Sequence, residues 1–247
     1  MRIVEAGRAP RRHVLVELCR MLNQQYGELS AGEILRLAID ELAPHRFAVV
    51  SSFGAESVVL LKLLSEIDRT TPVLFLDTHK HFSETLEYRD ELVAWLGLSN
   101  VRTFTPAASE LRAGDPDGKL WEKDPDGCCA LRKRAPLQRA LAPFFVWANG
   151  RKRGQNVFRQ DLQLFEAAPP HIKLNPLAHW TREDVASYMR RHGLPVHALV
   201  NEGFPSIGCA PCTHRVLVGE DERAGRWKGR EKTECGIHNS PVVGGAR

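Results

Sequence analysis

The sequence predicts an α/β fold, a mostly parallel sheet with helices on both faces, and two observations carry that prediction. Short apolar runs containing β-branched residues alternate with segments in which apolar residues recur three and four positions apart. The stretches between successive runs are long enough to be helices, and strands joined through such helices lie parallel by right-handed crossovers. A chain of 247 residues, 43% hydrophobic and 26% charged, can bury the core of such a sheet within one large domain.

Taken in order, VELCRML around Cys19 reads as helical, with Cys19 an inert small hydrophobe. Residues 30–42, SAGEILRLAIDEL, set Ser30 and Glu33 in capping-box spacing ahead of a helical pattern. FAVVSS (47–52) is a strand, FGAES a turn and VVLLKLLSEI the helix that follows. PVLFLD (72–77) reads as strand, FSETLEYRDELVAWLG as helix and VRTFTP (101–106) as strand. A polar loop is expected over 107–127, then a basic helical segment, the strand FFVWANG (144–150), a strand candidate HIKLNPL (171–177) and the helix TREDVASYMRRHG. From about residue 197 the pattern dissolves into Gly, Pro, Cys and charges, and the terminal NSPVVGGAR looks disordered. The expected organisation is a helical segment over 1–44 packed on the core, an α/β core over 45–200 and a cysteine-containing extension over 201–247, all in one structural domain.

The formal net charge of +4 is modest, and Lys and Arg cluster at 132–134, 151–159 and 223–232 while acids are spread out. That distribution points to local anion sites and argues against a nucleic-acid face. The N-terminus lacks the apolar core of a signal peptide, and VVLLKLL is broken by Lys62 well short of a membrane span. The expectation is a cytoplasmic protein without a membrane partner. In a reducing compartment its six cysteines are catalytic, metal-binding or inert sooner than a disulfide framework.

Parallel sheets bind ligands beyond the carboxyl ends of their strands. SSFGAES (51–57) occupies such an end, and its backbone N–H groups, Gly54 and serines suit a phosphate at a helix start. It lacks the lysine and spacing of a Walker A loop, and an ordinary capped turn would look the same. GRKRGQNVFR (150–159) follows a second strand, so Arg151, Arg153 and Arg159 could each reach a phosphate, as could a charged loop with no ligand.

Cys128 and Cys129 are adjacent, and Cys209 and Cys212 form a CxxC pair 80 positions beyond Cys129. Four thiols of this kind can close around one metal centre. Zinc sites usually draw on thiols two to four residues apart, because neighbouring side chains diverge, whereas a cubane with well-separated irons accepts an adjacent pair. A [4Fe-4S] cluster is the favoured reading, with structural zinc, a redox disulfide or inert thiols as alternatives. Lys133, between Arg132 and Arg134, is either part of a solvated basic face or a cation that couples such a cluster to an anionic ligand. In GEDERAGRWKGREKTECGIH, Arg223 and Arg226 are three apart, and Cys235 stands nine further on among Arg230, Lys232 and His238. Cationic surroundings favour thiolate, the nucleophilic form, so this tail reads as a reactive arm.

Together SSFGAES, LDTHKHFSET, CC followed by LRK, the GxRxxQxxxR pattern, CAPC, GEDERAGRW and ECGIH resemble the assimilatory adenylyl-sulfate reductases, the iron–sulfur branch of the phosphoadenylyl-sulfate reductase family. The resemblance runs from about Phe47 to His238 and implies a sheet of the adenine nucleotide alpha-hydrolase, Rossmann-like type with a mobile C-terminal tail. It implies that Cys128, Cys129, Cys209 and Cys212 hold a [4Fe-4S] cluster and that Cys235 is the nucleophile, with His238 beside it. It gives Lys133, Arg223 and Arg226 to the phosphosulfate, and Ser52, Phe53, Gly54, Ser57, Gly150, Arg151, Arg153 and Arg159 to phosphate and ribose. It gives Leu76, Asp77 and Thr78 to the adenosine. The implied reaction is reduction of adenylyl sulfate to sulfite and AMP through a Cys S-sulfonate, with thioredoxin or a glutaredoxin-like dithiol as reductant. Self-association into a homo-oligomer is left open. The chain departs from relatives at Asn156 and Phe158 in the arginine loop, and at Lys228 and Gly229 after Trp227. The rival readings are a phosphoadenylyl-sulfate or dual-substrate reductase, an iron–sulfur tRNA-thiolating or nucleotide-activating enzyme, and a zinc-binding interaction module.

Overall fold

Every residue of β1 (Phe47–Ser51) and β2 (Val73–Leu76) is buried, as expected of parallel strands covered on both faces. The computed structural model describes residues 11–155 and 159–238; Asn156 and Phe158 therefore lie outside the described residues, as does the tail end over 239–247. A six-stranded sheet runs in the order β3-β2-β1-β4-β6-β5, where β3 is Val101–Phe104, β4 Val146–Ala148, β5 Phe165–Ala168 and β6 His171–Leu174. All pairings are parallel except that of β5 with β6.

Side chains alternate across this sheet with period two, and each face has its own core. Phe47, Val49, Val73 and Phe75 point into the larger core, together with α1 (Arg12–Tyr26), α2 (Ala31–Leu37), α3 (Ser57–Ser65), α4 (Ser83–Leu96) and α9 (Arg182–Arg191). Ala48, Val50, Leu74 and Leu76 face the smaller one, closed by Leu137, Ala140 and Leu141 of α8 (Ala135–Leu141) and by Trp147. Ser30 caps α2 as its spacing predicts: the Glu33 N–H donates to Ser30 Oγ at 3.4 Å and the Glu33 carboxylate accepts from the Ser30 N–H at 2.8 Å. α1 reaches the outer edge of β5, where the Asn23 amide accepts from the Phe165 N–H and donates to its carbonyl, both at 2.9 Å.

Three elements differ from the sequence expectation. The segment 107–127 contains α5 (Ala108–Gly114), α6 (Leu120–Lys123) and the start of α7 (Pro125–Cys129). Acids organise it locally: Glu110 accepts from the Ala107 N–H, Asp115 from the Leu120 N–H, and Asp124 caps α7 through the Asp126 and Gly127 N–H groups. β5 is an additional strand, held antiparallel to β6 by a short turn. The strand expected over 171–177 ends at Leu174, because the chain turns there, the Ala178 N–H donating to the Asn175 carbonyl at 3.0 Å.

The strand order has a consequence for ligand binding. From β1 the chain proceeds outward through β2 and β3, then returns to the other side of β1 as β4, so a crevice opens where the loops after β1 and β4 diverge.

Candidate active site

That crevice is a cavity of about 230 Å³. Its floor is formed by the 51–57 turn and by Asn149, Gly150 and Arg151 after β4; its roof comes from the 205–208 loop and the tail. Gly54 permits the closing of floor on roof, since a Cβ there would stand 3.3 Å from the Ile207 carbonyl oxygen. Lys133, Arg159, Arg223, Arg226 and Cys235 all open on this space, so four cations from three distant segments surround one thiol.

The charges around Cys235 differ from those the sequence suggests. Its neighbours Arg230 and Lys232 are engaged elsewhere, the first donating to the Glu122 carbonyl and the second paired with Asp126. His238 is not a cation: burial and the surrounding Arg151, Lys173, Arg159 and Arg223 hold its imidazole well below the usual histidine range. Its ring stacks on Trp147 with centroids 5.8 Å apart, and its carbonyl accepts from Lys173 Nζ at 2.9 Å. It anchors the tail. Lys133 and Arg226 supply the positive field instead. Burial opposes the Lys133 charge, but the facing thiols of Cys209, Cys235 and Cys129 hold its pKa above the ordinary lysine value. Burial and the adjacent Arg223 push Arg226 the other way, and its guanidinium lies 4.6 Å from the Trp227 ring centre.

Lys133 also borders a second, smaller cavity. Cys128, Cys129, Cys209 and Cys212 share its wall with apolar Trp121, Pro125, Pro211 and Trp227. The thiols are free, and they are spread around this space: among the described residues no three His, Cys, Asp or Glu side chains gather closely enough to hold a single ion. Burial pushes Cys128 up to about 12 and Cys129 up to about 11. Cys209 is buried too, yet Lys133 and a hydroxyl contact from Thr78 at 3.3 Å bring it below the usual thiol value. A soft, sulfur-only donor set in an apolar, cation-backed pocket fits an iron–sulfur cluster.

Several expected contacts fall elsewhere. Phe53 adopts a positive φ of 49° and buries its ring edge-on against Phe75, so only its backbone belongs to the turn. Leu76 lines the large cavity, but Asp77 folds back onto the His79 N–H and the Thr78 hydroxyl meets Cys209. Arg153 faces away, donating to the Leu162 carbonyl at 2.8 Å and meeting His179. Arg151 is paired with Glu166, and Lys152, which is buried, with Glu56 at 2.7 Å. Sequence reasoning gave no role to Glu56, Glu166, Lys173 and Glu234, which pair with the site's cations or hold the tail; the signals available were that Glu56 lies within SSFGAES and that Glu234 adjoins Cys235.

A doubly wound α/β sheet with a cation-lined crevice at its switch point, adjoined by a four-thiol pocket, defines a protein of the adenine nucleotide alpha-hydrolase type. The chain belongs to the phosphoadenosine phosphosulfate reductase domain family, whose pattern matches residues 46–215. It is 52% identical over 219 residues to an adenosine 5'-phosphosulfate reductase of Mesorhizobium japonicum, covering 89% of this chain and 86% of that one. A protein of the same name from Streptomyces coelicolor is 41% identical over 227 residues, covering 91% and 94%. Among solved structures, phosphoadenylyl-sulfate reductase from Candida auris in a phosphate complex superposes with a TM-score of 0.68 at 27% identity, covering 80% of this chain and 97% of that one.

Proposed function

We propose that this protein is a cytoplasmic adenylyl-sulfate reductase of sulfate assimilation, converting adenylyl sulfate to sulfite and AMP with thioredoxin as reductant. One observation supports this above the rest: the tail thiol Cys235 opens on the switch-point cavity together with Lys133, Arg223 and Arg226. The Cys235 thiolate attacks the sulfate sulfur, a sulfur–sulfur bond forms, and the sulfur–oxygen bond to phosphate breaks. AMP leaves with the electron pair, and a Cys S-sulfonate remains. Negative charge grows on the departing phosphate oxygen, where Lys133, Arg223 and Arg226 act; each well-placed donor in a closed site is worth about 3 kcal/mol. A thiolate of thioredoxin then attacks Cys235 Sγ and expels sulfite, and its second thiol resolves the mixed disulfide, so the dithiol supplies both electrons and Cys235 is regenerated.

Cys128, Cys129, Cys209 and Cys212 would hold a [4Fe-4S] cluster, which when bound supplies a fixed local charge beside Lys133 and a tie between two distant segments. No electron need pass through it. No described helix is long and apolar enough to cross a membrane.

The test is peptide mass spectrometry after anaerobically purified protein is mixed with adenylyl sulfate and no reductant. A sulfonate increment on the Cys235 peptide is expected, and Cys235→Ser is expected to abolish sulfite formation while still binding AMP. No increment, with cluster and substrate intact, would refute covalent transfer. Likeness to the Candida auris enzyme favours a second reading, in which the substrate carries a further phosphate. Against it, the cations that could take that phosphate, Arg151 and Lys152, are already matched to Glu166 and Glu56. Steady-state turnover of the two substrates separates the readings.

A further inference from the structure

The residue before the nucleophile occupies the cations of the cavity. Arg159 donates to Glu234 in a two-pronged arrangement, Nε to Oε1 at 2.8 Å and Nη2 to Oε2 at 2.9 Å. Arg223 approaches the same carboxylate at 3.5 Å and donates to the Thr233 carbonyl at 2.9 Å. Arg159, Arg223, Glu234 and Cys235 all line the one cavity. A carboxylate and a phosphate present the same pair of acceptors to a guanidinium fork. The Glu234 side chain therefore stands where an anionic ligand of these arginines would stand.

We infer that Glu234 is a positioning residue that competes with the nucleotide phosphate for Arg159 and Arg223, so that phosphate arrival displaces its carboxylate and moves the adjoining Cys235 thiol. The inference rests on the reading of the cavity as a nucleotide site. Arg159 is only 9% exposed, and its remaining side-chain partner among the described residues is the neutral amide of Gln155. A guanidinium so placed requires an anion, and either Glu234 or a phosphate satisfies it. Arg226 lines the same cavity, and its buried Nε has no hydrogen-bond partner among the described residues. Beyond Cys235 the tail is fixed by the Lys173 bond and by the stacking of His238 on Trp147. Release at Glu234 with retention at His238 leaves the thiol on a short tether instead of a free end. The tail would thus report the state of the crevice: docked on the arginines through Glu234 when it is empty, and parted from them when a phosphate has taken their place.

The experiment uses the full-length, cluster-containing protein with AMP as probe. AMP affinity is measured by calorimetry for the wild type, Glu234→Gln and Glu234→Asp, and alkylation of Cys235 by iodoacetamide is followed by peptide mass spectrometry with and without AMP. In the wild type AMP is expected to accelerate alkylation. Glu234→Gln is expected to bind AMP about tenfold more tightly, a factor corresponding to about 1.4 kcal/mol, and to alkylate quickly without AMP and no faster with it. Glu234→Asp, which keeps the competing charge, is expected to behave like the wild type. Equal or weaker AMP binding by Glu234→Gln, or wild-type alkylation that AMP slows or leaves unchanged, would overturn the inference. Failure of the wild type to bind AMP at all would overturn the nucleotide reading itself, and this inference with it.

Discussion

Lys133 stands between the two cavities, facing Cys129 and Cys209 on one side and the crevice with Cys235 on the other. A cation so placed acts on charge that develops during the reaction more than on the bound ground state. Lys133→Ala is accordingly expected to lower kcat/KM about 10²- to 10³-fold while changing AMP affinity little, as steady-state kinetics beside calorimetry would register. His238 makes a prediction of opposite character. Its imidazole is held neutral in the docked tail, whereas an undocked tail would titrate near the ordinary value of 6.5. The docked form thus binds fewer protons, and docking is full above that value and weakens as pH falls through it. Proteolytic cleavage of the tail should rise on acidification in the wild type and stay flat in His238→Phe. At this scale the sequence revealed thiols and cations by type and spacing. It did not reveal that Lys232 and Arg230 are engaged elsewhere, because their partners Asp126 and Glu122 are more than one hundred positions distant.

The short helices around α7 show how an element becomes illegible. Their organising bond is a buried ion pair, Arg132 Nε to Asp115 Oδ2 at 3.0 Å, and Arg132 also donates to the Thr78 carbonyl at 2.9 Å. Through Thr78 and its contact with Cys209, this pair aligns the Cys128–Cys129 turn with the CxxC segment. Read from sequence alone, 107–127 is a polar loop; it is ordered because Asp115 meets a guanidinium 17 positions later. Removing one partner strands a buried charge, so Asp115→Asn is expected to cost about 3–5 kcal/mol, measured by urea unfolding. β5 escaped notice for a different reason: FEAA has one fully buried residue, and its strand geometry comes from pairing with β6 and not from any pattern of its own.

At the scale of the whole molecule the α/β class was legible, because continuous apolar runs separated by helical segments have few other solutions. The order β3-β2-β1-β4-β6-β5 was not, since periodicity does not say which neighbour a strand chooses. That order puts the 51–57 turn and the 149–151 loop side by side, which is why two motifs nearly 100 positions apart share a floor. The same order leaves β3 and β5 as outer strands, and the two ends are finished differently. β3 carries Arg102 and Thr103, exposed and polar. At β5 the amide of Asn23 takes both backbone groups of Phe165, as a neighbouring strand would. A single side chain from the first helix thereby completes the ladder, and at that point the sheet offers no template to which a partly unfolded sister chain could add and begin an aggregate.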